Sequence, residues 1–131
     1  GGIFDRHPKL KVVCAESDGG WVPHFRFRMD HAYERHRFHL PTEKLQKMPS
    51  SYFDDNIYVT FQDDYSIKHI TRGLNLQRVM WASDFPHSDG TYPNSREVMD
   101  FVTEGMSAQA RTDILFNNAA ELYGIWKVGN A

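Results

Sequence analysis

Arg78-Val79-Met80-Trp81-Ala82-Ser83-Asp84-Phe85-Pro86-His87 is the stretch on which the fold turns. Its first half is a short, nearly continuous apolar run, the composition of a strand buried on both faces of a parallel sheet. Ser83 and Asp84 end the run, and Phe85-Pro86 bends the chain away. Two earlier runs have the same form. Leu10-Lys11-Val12-Val13-Cys14-Ala15 lies between Pro8 and Gly19-Gly20 and ends in Glu16-Ser17-Asp18. Ile57-Tyr58-Val59-Thr60-Phe61 ends in Gln62-Asp63-Asp64.

The segments between these runs read as helices. Ile3 to His7, ahead of Pro8, resembles the end of one. A helix is expected from near Trp21, with Pro23 in its first turn and Asp18 as a possible cap. Phe25, Met29 and Ala32/Tyr33 keep helical spacing until the pattern fades at Phe38 to Pro41, and Arg26, Arg28, Arg35 and Arg37 fall mostly outward. Residues 41–56 form a polar insert with one short helix over Thr42 to Lys47. A further helix over Tyr65 to Arg72 would stop at Gly73 as a left-handed cap. Asn94 and Glu97 have capping-box spacing, Gly105 ends that helix, and Ser107 caps another. Asn117/Asn118 mark a break before a last turn closed by Gly124, and the tail over Ile125 to Ala131 is expected to be loosely held. Strands alternating with helices imply an α/β fold, with a parallel sheet and right-handed crossovers, in one domain over residues 1–131.

Composition narrows the function. With 131 residues the chain suits one domain and is too short for an eight-unit barrel of roughly 200 residues or more. Fifteen basic against 17 acidic residues give a net charge of −2, without the basic block a nucleic-acid binder needs. No apolar run approaches the roughly 20 residues of a membrane span. The single cysteine, Cys14, excludes an internal disulfide, reads as a small buried hydrophobe, and fits a reducing, cytoplasmic setting.

Parallel α/β sheets gather ligands at the carboxyl ends of their strands, and all three runs deliver polar side chains there. Asp84, directly after a buried strand and three residues before His87, can ligate a divalent cation or orient a water. An Asx turn at Phe85-Pro86 uses the same residue. Glu16 is a candidate general acid or base, or a helix-capping carboxylate. His87, with Asp89 beside it, is either a loop residue or part of a site, and Gln62 is a third pocket candidate. His24, His31, His36 and His39 lie on or near the first long helix and read as surface or oligomer contacts; His7 and His69 carry no pattern. Trp21, Trp81 and Trp126 read as core or interface. There is no His-x-His, no His-Glu-x-x-His, no Cys-x-x-Cys, no phosphate-binding glycine loop and no Gly-x-Ser-x-Gly elbow.

Phe4 to Ser17, Asn56 to Phe61, Trp81 to Gly90 and Asn118 to Gly124 together resemble the amidohydrolase-related family of metal-dependent hydrolases. Its members include aminocarboxymuconate-semialdehyde decarboxylase and aromatic-acid decarboxylases. The resemblance implies a (β/α)8 barrel of which this chain is the last three units, completed by an upstream part, a second copy or a complementary chain. It implies that Asp84, at the eighth strand, ligates a catalytic metal, commonly zinc. It places Glu16 at the sixth strand end, where many members carry a histidine. His87 and Asp89 correspond to loop residues at the site mouth. The family's His-x-His and fifth-strand histidine have no counterpart here, so the implied function is that of a C-terminal segment of a hydrolase or decarboxylase acting on a small organic acid, inactive as an isolated chain. The alternative is a non-catalytic α/β assembly module that keeps its strand-end residues as caps.

Overall fold

In the computed structural model, residues 1–39 and 44–125 are described. Helix α1 (Ile3–Arg6) leads into strand β1 (Val12–Cys14), then α2 (Val22–His36), α3 (Pro49–Asn56) and β2 (Ile57–Phe61). Helix α4 (Ile67–Ile70) follows, extended by a 3-10 turn over Thr71–Gly73. A second 3-10 turn, Leu76–Arg78, feeds β3 (Val79–Trp81). Three helices, α5 (Ser95–Val102), α6 (Ala108–Thr112) and α7 (Asn118–Tyr123), follow among the described residues, the last two joined by a π-helical stretch over Asp113–Asn117.

The strands form one parallel sheet in sequence order, β1-β2-β3, with Val13 opposite Tyr58 and Thr60 opposite Met80. The α/β reading with a three-stranded parallel sheet therefore holds. Strand alternation sends Cys14, Ile57, Val59, Phe61, Val79 and Trp81 to one face. There they meet Val22 of α2, Phe53 of α3, Ile67 of α4, Val102 of α5 and Ile114 of the π-helical stretch. The opposite face carries Val13, Tyr58, Thr60 and Met80. Tyr58 and Met80 are buried, and the Arg78 guanidinium lies 4.9 Å from the Tyr58 ring centre. These two apolar side chains of the second face are thus covered within the described residues.

Exposure appears instead at the sheet margin. The β1 run reads as a buried strand, but Leu10 and Val12 are exposed, because sequence order leaves β1 paired on one side only among the described residues. Its start is tied down by Asn56, whose amide donates to the carbonyls of Pro8 (3.0 Å) and Leu10 (2.8 Å).

Several helix boundaries differ from expectation for local reasons. The expected Thr42–Lys47 helix lies partly outside the described residues, and Lys44 to Lys47 are not helical. The insert's helix is α3, which begins with Pro49 in its first turn. Arg26 turns inward and donates to Gly73 O (2.7 Å) and to Asp54, because α3 supplies a carboxylate beside it. Gly73 is not a left-handed cap. A Cβ there would sit 3.0 Å from Pro23, so this glycine permits close approach of two segments. Asn94 holds the N-cap position of α5 without a side-chain cap, whereas Ser107 does cap α6, accepting from Ala110 N at 3.2 Å.

Asn117 and Asn118 break nothing. The helix runs on through them to Gly124, which takes the left-handed conformation, and Asn118 is buried. Its amide donates to Leu76 O and Val79 O, both at 2.7 Å. Trp126 and the rest of the tail lie outside the described residues.

Candidate functional site at the strand carboxyl ends

The carboxyl ends of the strands share one rim, and their loops are bound to each other. After β1 the chain turns within five residues. Ser17 Oγ donates to Cys14 O (2.9 Å), and the Trp21 indole N–H donates to Ser17 O (2.8 Å). Glu16 N–H donates to Thr60 Oγ1 on β2 (2.9 Å). Asp64, beyond β2, accepts from Gly19 N (3.0 Å) and Gly20 N (2.8 Å), and also from Ser66 N (2.9 Å) and Ser66 Oγ (2.6 Å). One carboxylate thus clamps the first loop to the second. Burial works to raise the Asp64 carboxyl. Its hydrogen bonds from Ser66, Gly19 and Gly20 outweigh burial and hold it below the usual carboxylate range.

Among the described residues, three non-glycine residues have positive φ: Glu16 (52°), Asp18 (54°) and Asp84 (55°). All three follow strands and all are acidic. Left-handed backbone costs an ordinary L-residue about 1–2 kcal/mol, so the rim stores strain at its acidic positions. Asp18, expected as a helix cap, does not cap α2, whose N-cap position is Trp21. Its Oδ1 is buried without a hydrogen-bond partner. Burial raises its carboxyl, Asp64, Asp63 and Asp89 add to the rise, and the Gln62 backbone N–H opposes it.

Asp84 sits at the end of β3, whose ladder extends one step further as Ala82 N–H donates to Phe61 O (3.0 Å). The loop behind it closes on itself. His87 N–H donates to Asp84 O (2.8 Å), Gly90 N–H to His87 O (3.0 Å), and Thr91 N–H to Ser83 O (2.9 Å). The carbonyls of Ser83, Asp84 and His87 crowd the place where a Cβ on Gly90 would stand, at 2.8, 2.8 and 3.0 Å. The Phe85–Pro86 and Tyr92–Pro93 peptide bonds in this loop are cis. The closure brings His87 Nδ1 to 3.0 Å from Asp84 Oδ2; the Asp84 side chain is 15% exposed and that of His87 65%.

The candidates read from sequence therefore divide. Asp84 and His87 are in contact, and Asp89 presents its backbone N–H to the same imidazole at 3.4 Å. Glu16 is exposed and tied to β2 by its backbone. Gln62 is buried, and its carbonyl accepts from the Trp81 indole at 2.8 Å. The clamping role of Asp64 was hidden in the sequence, because Gln62-Asp63-Asp64 shows three polar residues and not which one faces the β1 loop.

A protein-bound zinc or similar ion takes three or four protein ligands. No group of three or more His, Cys, Asp or Glu side chains among the described residues is arranged to hold one. Asp84 offers a single carboxylate, one oxygen of which is already engaged by His87. The described residues by themselves do not fit the metal.

Several solved structures share this fold. The 5-carboxyvanillate decarboxylase of Sphingomonas paucimobilis matches with a TM-score of 0.78 and 25% identity, over 94% of this chain and 36% of that one. An amidohydrolase described as putative, from Staphylococcus aureus, matches at 0.68 and 28% identity, over 94% and 37%. A dihydroxybenzoic acid decarboxylase from Polaromonas sp. JS666, holding manganese and the inhibitor 2-nitroresorcinol, matches in fold at 0.70 and 21% identity, over 95% and 36%. The chain thus spans a little over a third of the length of the structures it resembles. The metal in the last is manganese, where the resemblance in sequence implied zinc. The amidohydrolase family profile matches residues 1–125, and the chain belongs to the amidohydrolase family.

Proposed function

We propose that these residues form three β/α units of an amidohydrolase-type barrel and supply the carboxylate side of a site that decarboxylates or hydrolyses a small organic acid. One observation carries the reading. Asp84 is drawn out of solvent at a strand end, in left-handed backbone, on the rim that also bears Glu16 and Asp18. Two relatives are named for decarboxylating aromatic acids, which makes an aromatic carboxylate the substrate class to try first.

In this reading Asp84 is the site's acidic group. It holds or moves a proton at Oδ1 while Oδ2 stays bound to His87. Decarboxylation needs a proton delivered to carbon as carbon dioxide leaves, and hydrolysis needs one taken from water; a positioned carboxyl serves either. Glu16 is the second acid–base group, and His87, Asp89 and Gln62 border the substrate. The remaining walls of the barrel come from further residues of the gene product, a complementary chain or a second copy of this one.

The experiment assays the gene product that carries this sequence against 5-carboxyvanillate and 2,6-dihydroxybenzoate with manganese supplied, beside Asp84→Asn. Loss of a general acid or base lowers turnover about 100-fold or more, with circular dichroism unchanged. Equal turnover in the variant refutes the role of Asp84. Completion by a second copy is a separate matter, read by light scattering, and a stable monomer at micromolar concentration would sink it.

A further inference from the structure

We propose that His87 is the positioning residue of Asp84, holding Oδ2 through its Nδ1–H so that Oδ1 alone is presented to a substrate. The inference deepens the reading of Asp84 as the site's acidic group and rests on that reading for its functional half only.

The loop geometry supports it. Residues 83–91 are drawn into a closed turn by the Asp84, His87 and Ser83 carbonyls, which accept from His87, Gly90 and Thr91. Thr91 is buried, and its hydroxyl shares a hydrogen bond with Ser95 Oγ at 2.8 Å, anchoring the loop to α5. Gly90 is the only residue type that fits where three carbonyl oxygens converge. The His87 N–H bond to Asp84 O brings residue 87 back over residue 84, and the other contacts hold the loop closed around it.

Two groups compete for the same imidazole nitrogen. Asp84 Oδ2 lies 3.0 Å from Nδ1, which requires Nδ1 to carry the proton. Asp89 N–H lies 3.4 Å from Nδ1, which requires Nδ1 to be bare. A neutral imidazole cannot satisfy both. The contact to the ionised carboxylate is shorter and charge-assisted, so it decides the tautomer. Nε2 is then the nitrogen left for solvent or substrate, on a side chain that is largely exposed.

The test reads the tautomer directly. Protein labelled with 15N at histidine is examined by long-range proton–nitrogen correlation at a pH of about 8, where an ordinary imidazole is neutral. The His87 signal is assigned by its loss in His87→Asn. The expected result is a protonated Nδ1 in the native chain, reverting toward the Nε2–H form in Asp84→Ala and in Gly90→Ala. A bare Nδ1 in the native chain overturns the proposal, since Asp89 would then be the partner. So does an Nδ1–H form that persists in Asp84→Ala.

The functional half is read on the gene product with whichever acid it turns over. His87→Leu is expected to lower kcat about tenfold or more with KM little changed, as for loss of a hydrogen bond to a charged group. His87→Asn, whose side-chain N–H occupies the place of Nδ1–H, recovers most of the rate. Equal loss in both variants refutes positioning. A silent Asp84→Asn alongside a protonated Nδ1 removes the catalytic reading and leaves the contact standing.

Discussion

Asp64→Asn tests the clamp between the first two strand-end loops. The native carboxylate receives four hydrogen bonds, two at Oδ2 from Gly19 and Gly20 and two at Oδ1 from Ser66. An asparagine has one acceptor oxygen, so whichever way the amide turns, two of the four donors face an NH2 group. Each hydrogen bond to a charged group contributes about 1.5–3 kcal/mol, and the clamp is only partly buried, so the lower end of that range applies. The expected loss is about 3 kcal/mol, or a fall in Tm of about 10 °C for a domain of this size. Urea unfolding followed by tryptophan fluorescence measures it, because Trp21 and Trp81 pack against the core beside the clamped loops. Ser66→Ala, which removes one donor, should cost about 1.5 kcal/mol.

The pH dependence has a definite sign. Asp64 is held below its ordinary value in the fold, so the unfolded chain binds its proton more readily. Its contribution is complete above the unfolded value of about 3.9 and is lost as pH falls through the lower folded value. The stability gap between native chain and variant should be constant from pH 8 to about 5 and should narrow below about 4. Asp18 runs the other way. Its carboxyl is raised, so its protonation makes the native chain more stable as pH drops toward the acid range. A gap under about 0.5 kcal/mol at neutral pH, the range of an ordinary surface substitution, would refute the clamp.

Three further outcomes follow from the packing and the rim. Phe61→Ala removes a fully buried ring from the middle strand and should cost about 3–5 kcal/mol in the same unfolding assay. Asn118→Leu leaves the Leu76 and Val79 carbonyls without their shared donor and should cost about 2 kcal/mol or more, although the side chain is similar in size. Glu16→Gly relieves left-handed backbone at φ 52° and should stabilise the chain by about 0.5 kcal/mol, the relief exceeding glycine's added entropy in the unfolded state. Destabilisation by that change would show that the Glu16 side chain holds structure and is not a strained functional group.

The framework that carries the candidate site was legible in advance. Strand β2 begins and ends where its β-branched and aromatic run does, and Asp84 stands out as the residue where an apolar run stops. Placing strand ends on one rim needed only the alternation of strands and helices. The left-handed backbone at Glu16, Asp18 and Asp84 was not legible, since aspartate tolerates positive φ but also caps helices and makes turns at ordinary φ, and glutamate gives no such signal. Nor were the jobs of Asn56 and Asn118. An asparagine suggests a turn, and only the presence of unpaired carbonyls nearby converts it into a buried donor.

By itself the sequence determined the parallel α/β pattern, the apolar runs and the family, because each of these depends on the order and period of side chains along the chain. Tertiary structure decided which carboxylate does what. Asp64 became a clamp, Asp18 a half-buried acid with an orphaned oxygen, and Asp84 the partner of His87. The reason is distance. A hydrogen bond across 45 residues, such as Gly19 to Asp64, is set by how the segments pack, and no local pattern encodes it.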